Sequence, residues 1–184
     1  MLKLDCYRPD LVPTAEELEA EHREQITWLI ESGVDVLLFE TMNTVREAEI
    51  CSRIAHGLAF PFFVSFVCHR PETLLSGESV LEAASAVIPF HPLALVINCT
   101  HPEIISDTLE SLHQNTDYPL GAYANVGNSV PEQGGTIEHI LPPEAYLRYV
   151  KHWMGFGLQL VGGCCGTTPE HIDVIHDFMD HRSE

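Results

Sequence analysis

Apolar residues along this chain come in two rhythms. Largely apolar runs at Val34–Phe39, Pro61–Val67, Leu93–Ile97, Leu120–Ala124 and Gly157–Val161 predict buried strands, because a strand covered on both faces has no polar side to alternate with. Between them lie polar stretches that carry apolar residues at helical spacing. Leu18, Ile26, Leu29 and Ile30 mark a first helix, with Thr14 and Glu17 at capping-box spacing and Gly33 as its stop. Thr44 and Glu47 open a second helix ending near Gly57, and Ser79 and Glu82 a third that runs through Val87. Thr100 and Glu103 have capping-box spacing for a fourth helix over 102–114. Pro142, Pro143 and Glu144 open a fifth, which reaches His152, and Thr168 caps a last helix that starts at Pro169. Strand starts recur about 30 residues apart, the spacing of serial βαβ units in a parallel sheet. Residues 125–141 are Gly-rich, polar and too long for a mere connection, which predicts a loop over the mouth of a site.

Composition narrows the class. With 184 residues, 45% of them hydrophobic, the chain is expected to form a single domain, 1–184, around one substantial core. No apolar run reaches the roughly 20 residues needed to cross a membrane, and Met1–Asp5 carry no signal-peptide core. A formal charge of −18 argues against nucleic acid and anionic membranes as partners, since no basic patch offsets phosphate repulsion. Six cysteines without a secretory context read as reduced thiols in the cytoplasm.

Three of those cysteines stand where strands end. Cys164 and Cys165 follow the last strand in a Gly162-Gly163 turn just before the final helix, and Cys99 follows the Leu93–Ile97 run. A disulfide between neighbours is strained, so shared metal ligation is the better reading of the vicinal pair. Three thiolates with one open position form the ligand set of a catalytic zinc rather than a closed structural one. Competing readings are two buried thiols packing a tight turn, a dithiol redox pair, and a glycine turn that cradles phosphate. Redox pairs usually have two intervening residues, and a phosphate cradle leaves the vicinal thiols unexplained.

The run Gly162-Gly163-Cys164-Cys165-Gly166-Thr167-Thr168-Pro169-Glu170-His171-Ile172, with Asn98-Cys99-Thr100 upstream, resembles the homocysteine S-methyltransferases. Phe39-Glu40-Thr41-Met42 resembles the Glu-Thr pair that follows the fourth strand in that family. The resemblance extends from about Tyr7 to Phe178 and implies a zinc-dependent (β/α)8 barrel. It implies an α/β fold that is a partial TIM barrel, the five strands corresponding to barrel strands four to eight. The family's N-terminal glycine-rich turn and its aspartate for the substrate amino group have no counterpart in this sequence. The domain is thus expected to be incomplete at its N-terminal side, and an oligomer or an N-terminal partner segment is expected to cover the strand edge near Val34.

The implied reaction transfers a methyl group to the thiol of homocysteine, forming methionine. Zn2+ held by Cys99, Cys164 and Cys165 is the expected cofactor, and no catalytic residue is expected beyond that site. Glu40 is expected to hold the substrate α-amino group by a charge-assisted hydrogen bond. Thr41 and Asn125 are further candidates for substrate binding, and Ser65 sits at a similar strand end; capping of backbone groups is the alternative for these three. The methyl donor stays open among S-adenosylmethionine or S-methylmethionine, betaine, and methyl-folate through cobalamin. The alternative function is a catalytically incompetent or partner-completed zinc-binding fragment. Cys6, Cys51 and Cys68 read as structural, His101 as pointing to solvent, and His171 as a support for the glycine turn.

Overall fold

A computed structural model describes residues 7–127 and 139–181. Cys6 and most of the expected mouth loop, 128–138, lie outside the described residues. A 17-residue helix α1 (Ala15–Glu31) comes first, and Thr14 and Glu17 form the expected capping box at its start. Strand β1 (Leu37–Met42) leads to helix α2 (Val45–Gly57), whose Glu47 N–H is accepted by the Thr44 side chain. Strand β2 (Phe62–Phe66) is followed by a hairpin, β3 (Cys68–Arg70) with β4 (Thr73–Leu74), and then helix α3 (Val80–Val87). Strand β5 (Leu95–Asn98) precedes helix α4 (Pro102–Asn115), and β6 (Leu120–Ala124) precedes helix α5 (Pro143–Trp153). Strand β7 (Leu160–Gly163) and helix α6 (Pro169–Asp180) are the last elements among the described residues.

The five long strands form one sheet in the order β1-β2-β5-β6-β7, and every neighbouring pair is parallel. Consecutive helices pack side by side from α1 to α6. The main core lies between them and one face of the sheet, where Leu37, Phe39, Val64, Phe66, Leu95, Ile97, Leu120 and Ala122 point. Alternate residues turn to the other face, where a small cluster of Ala94, Val96 and Tyr123 is packed by Phe63, Leu160 and Cys164. Because every strand runs the same way, all five C-terminal ends share one rim of the sheet.

Three expectations are corrected. Strand β1 starts at Leu37 rather than Val34, since Val34 and Val36 are exposed and the pairing with β2 begins at Leu37. Strand β7 starts at Leu160 rather than Gly157, because Gly157 (φ +75°) ends a short 3-10 turn, Met154–Phe156. The cap of α4 is His101, not Thr100: its Nδ1 accepts from the Glu103 N–H. Thr100 is instead buried and accepts from the Cys68 N–H at 3.0 Å, which ties the β3-β4 hairpin to the end of β5. That hairpin was not legible as a strand pair, because its few residues carry no apolar alternation.

Candidate metal centre

The end of β6 organises its two neighbours. The Cys99 N–H bonds to the Tyr123 carbonyl at 3.0 Å, and the Cys164 N–H to the Ala124 carbonyl at 2.9 Å. The Val126 N–H then reaches the Cys165 carbonyl at 3.0 Å, so the ladder continues past the strand ends. Gly166 is left-handed (φ +82°), and so is Cys99 at φ +47°, an uncommon conformation for a residue with a Cβ. Gly163 tolerates no side chain, since a Cβ there would stand 2.6 Å from the Thr167 side chain. Thr167 Oγ1 in turn donates to the Cys164 carbonyl at 2.6 Å and closes the turn.

These constraints bring the three thiols together. The sulfurs of Cys99, Cys164 and Cys165 all lie within 4.8 Å of one another, with 3.3 Å between Cys99 and Cys165 and 4.0 Å between Cys164 and Cys165. A tetrahedral ion with 2.3 Å metal–sulfur bonds holds its sulfurs about 3.8 Å apart, so the trio fits a zinc-sized thiolate site. Cys99 is buried and the vicinal pair is half-buried, which leaves an approach from the open side. Among the described residues no other three metal-ligating side chains converge in this way.

The trio is electrostatically uneven. Hydrogen bonding from Cys164, with further bonds from the Tyr7 hydroxyl and Cys165, brings the Cys99 thiol down to about 6. The Tyr7 oxygen lies 2.9 Å from the Cys99 sulfur. Cys164 moves the other way, chiefly because its bond to Cys99 favours its neutral form and also because it is buried. Burial likewise raises Cys165. A divalent ion held between the three sulfurs would favour the thiolate form of all of them. Cys51 and Cys68 belong elsewhere: both are buried, and desolvation pushes Cys68 up to about 12 and Cys51 well above the ordinary thiol value.

Glu40 and Thr41 sit at the rim end of β1. One extra residue enters β1 there, since Phe39 pairs with Val64 but Met42 with Phe66, and Thr41 takes up the slip at φ +61°. Glu40 is exposed and accepts from the Tyr123 hydroxyl at 2.9 Å. That hydroxyl also lies 3.1 Å from Ser65 Oγ, Ser65 donates to Asn98 Oδ1 at 2.6 Å, and Asn98 Nδ2 donates to Thr41 Oγ1 at 2.9 Å. Burial raises the Tyr123 phenol well above its ordinary value, and the Glu40 carboxylate adds to this, so the hydroxyl stays a donor. Glu40 and Thr41 also line a cavity of 180 Å³ with Arg8, His22 and Glu47.

Asn125 is buried at the rim end of β6 and its Oδ1 accepts from the Gly127 N–H at 2.9 Å. His171 is buried, with Nδ1 accepting from the Thr168 N–H at 3.1 Å and Nε2 lying 2.8 Å from the Leu141 carbonyl. The first bond makes Nε2 the protonated nitrogen, so His171 ties the glycine turn and the segment before α5 together. Tyr7, Tyr123 and Asn98 were not singled out from the sequence. Tyr123 did carry a signal, as the single residue with a polar side chain in an otherwise apolar strand.

Comparison with known proteins agrees with this geometry. A family model described as homocysteine S-methyltransferase matches residues 1–179. A selenocysteine Se-methyltransferase of Brassica oleracea var. italica is 35% identical over 178 residues, covering 94% of this chain and 51% of the relative. A homocysteine S-methyltransferase of Escherichia coli (strain K12) is 33% identical over 174 residues, covering 92% and 56%. The metallated form of the homocysteine methyltransferase MmuM from Escherichia coli superimposes with a TM-score of 0.77 at 27% identity, over 92% of this chain and 54% of that one. The chain thus spans about half the length of the curated relatives it matches. With the family model matched over residues 1–179 and three thiols converging at the strand ends, the chain belongs to the homocysteine S-methyltransferase family.

Proposed function

We propose that this chain carries the zinc and homocysteine site of a methyltransferase that converts homocysteine to methionine. The observation that carries this reading is the convergence of the Cys99, Cys164 and Cys165 sulfurs within 4.8 Å at the ends of β5 and β7. A zinc ion held there supplies a Lewis acid that lowers the pKa of a bound thiol, which at neutral pH is otherwise mostly protonated. Glu40 takes the substrate ammonium by a charge-assisted hydrogen bond, which turns the sulfur end toward the cysteines. Thr41 and Asn125 are the further substrate contacts at the same rim. The substrate thiolate then attacks the methyl carbon of the donor, the C–S bond of methionine forms as the donor's bond to that carbon breaks, and the thiol proton leaves to solvent. The five parallel strands correspond in this reading to strands four to eight of a (β/α)8 barrel, whose active sites lie at the C-terminal rim. Free thiols at the site suit a reducing compartment such as the cytoplasm. Among the described residues no helix is long and apolar enough to cross a membrane.

A second reading, completion by another polypeptide or another copy, is favoured by the state of β1. It is an edge strand of the sheet, and Leu38, on the face away from the helices, is 45% exposed. Exposed strand edges and apolar flanks invite pairing. Zinc-loaded chain, incubated with homocysteine and each class of methyl donor in turn, separates the two readings when methionine is measured by mass spectrometry. Zinc-dependent methionine formation supports the enzyme. Zinc and homocysteine binding with no product from any donor assigns the chain to a partner-completed assembly, and a chain that binds no zinc contradicts both.

A further inference from the structure

A series of polar contacts runs along the rim of β1, β2, β5 and β6. It runs from Glu40 to Tyr123, Ser65 and Asn98, and ends on Thr41, the chain neighbour of Glu40. Ser65 and Asn98 are fully buried and Tyr123 nearly so, whereas Glu40 is exposed. The phenol has one proton within reach of two acceptors, and the carboxylate's charge draws it toward Glu40. An exposed glutamate samples several rotamers and loses them when it binds a ligand. Here one carboxylate oxygen is already held by the hydroxyl of the nearly buried Tyr123, while a carboxylate has capacity for several donors. The second oxygen is therefore available to an ammonium group with little ordering left to do.

Tyr123 also faces the cysteines. Its carbonyl accepts the Cys99 N–H at 3.0 Å, and its ring packs in the cluster that includes Cys164. One residue thus holds both the carboxylate and the backbone of Cys99. We propose that Tyr123 is a positioning residue that presets Glu40 for the substrate ammonium and sets its separation from the three thiols. This rests on the reading of Glu40 as the ammonium partner.

The test compares homocysteine with 4-mercaptobutyrate, its analogue without the amino group, by calorimetry on zinc-loaded chain. Tyr123→Phe keeps the ring and removes the hydroxyl; Glu40→Gln removes the charge. Wild type should bind homocysteine more tightly than the analogue. Tyr123→Phe should keep full zinc content, lose about tenfold in homocysteine affinity, and leave the analogue unchanged. Loss of zinc, or equal weakening of both thiols, would make Tyr123 a packing residue and overturn the proposal. If Glu40→Gln erases the preference for homocysteine while Tyr123→Phe does not, the proposal fails and the reading of Glu40 stands. If neither variant changes that preference, or wild type shows none, both fail together.

Discussion

The sulfurs of Cys99 and Cys165 stand 3.3 Å apart although 66 residues separate them in sequence. Their strands are not neighbours: β6 lies between β5 and β7, and strands two places apart in a sheet are separated by roughly 10 Å. The gap closes because both chains turn inward as they leave the sheet, Cys99 through a left-handed backbone and Cys165 before left-handed Gly166. The end of β6 anchors both turns through the Tyr123 and Ala124 carbonyls. The convergence of the three thiols therefore depends on backbone geometry as much as on the choice of residues.

Gly163→Ala tests that dependence. The added methyl would meet Thr167 at 2.6 Å, and forced overpacking of this kind costs about 1–3 kcal/mol. The expected fall in Tm is on the order of 5 °C for a chain of this size, with weaker zinc retention under mild chelation. Gly57→Ala is the control, since nothing lies within 4 Å of a Cβ there. It should be neutral or stabilise the last turn of α2 by up to about 1 kcal/mol. Equal melting temperatures for the two variants would contradict the steric account.

Tyr146 is a second support. Its buried hydroxyl accepts from the Ala124 N–H at 3.1 Å and donates to the Gly162 carbonyl at 2.6 Å, so α5 clamps β6 to β7 just before the vicinal cysteines. Tyr146→Phe leaves both backbone groups without this partner, at about 1–3 kcal/mol. Denaturant unfolding should show that loss, with zinc affinity falling in parallel. A variant with wild-type stability would mean that the clamp contributes nothing.

Much of this was legible in the sequence, for physical reasons. Apolar runs without alternation gave the five parallel strands, and capping residues such as Thr14 and Thr44 placed the helices within a few residues. The three cysteines were legible because strand ends in a parallel sheet share one rim, so thiols placed there converge. The Thr100-Glu103 spacing misled, since His101 capped α4 once Thr100 was taken up by the Cys68 N–H, a contact across 32 residues. The strand boundaries at Val34 and Gly157 were missed because an exposed edge and a 3-10 turn carry the same apolar residues as a strand. The Glu40-Tyr123 pair was out of reach, because it spans 83 residues and depends on a one-residue slip in β1.

Thiol chemistry should follow the same map. In zinc-free chain, Cys99 has its thiol brought down to about 6, so its alkylation by iodoacetamide should rise between about pH 5 and 7 and then level off as the thiolate fills. The sign follows from the nucleophile: raising pH through the lowered value increases the thiolate, and lowering it removes the reactive form. Cys99 is as buried as Cys68, so reagent reaches either by local opening and the contrast lies in the thiolate. Cys51 and Cys68, shifted upward, should label far more slowly than Cys99 until the chain unfolds. Zinc should slow labelling of Cys99, Cys164 and Cys165 together. Site-resolved mass spectrometry reads each cysteine separately, and a Cys68 that labels as fast as Cys99 would contradict the assignment.

The most direct test is the zinc X-ray absorption spectrum of the purified chain, recorded with and without homocysteine. Three sulfurs at about 2.3 Å and one lighter ligand are expected before the substrate is added, and four sulfurs afterwards. Cys165→Ser should lose one sulfur from each count. Fewer than three sulfurs in the wild type, or a count that homocysteine does not change, would contradict the account of Cys99, Cys164 and Cys165 as an open metal site for the substrate thiol.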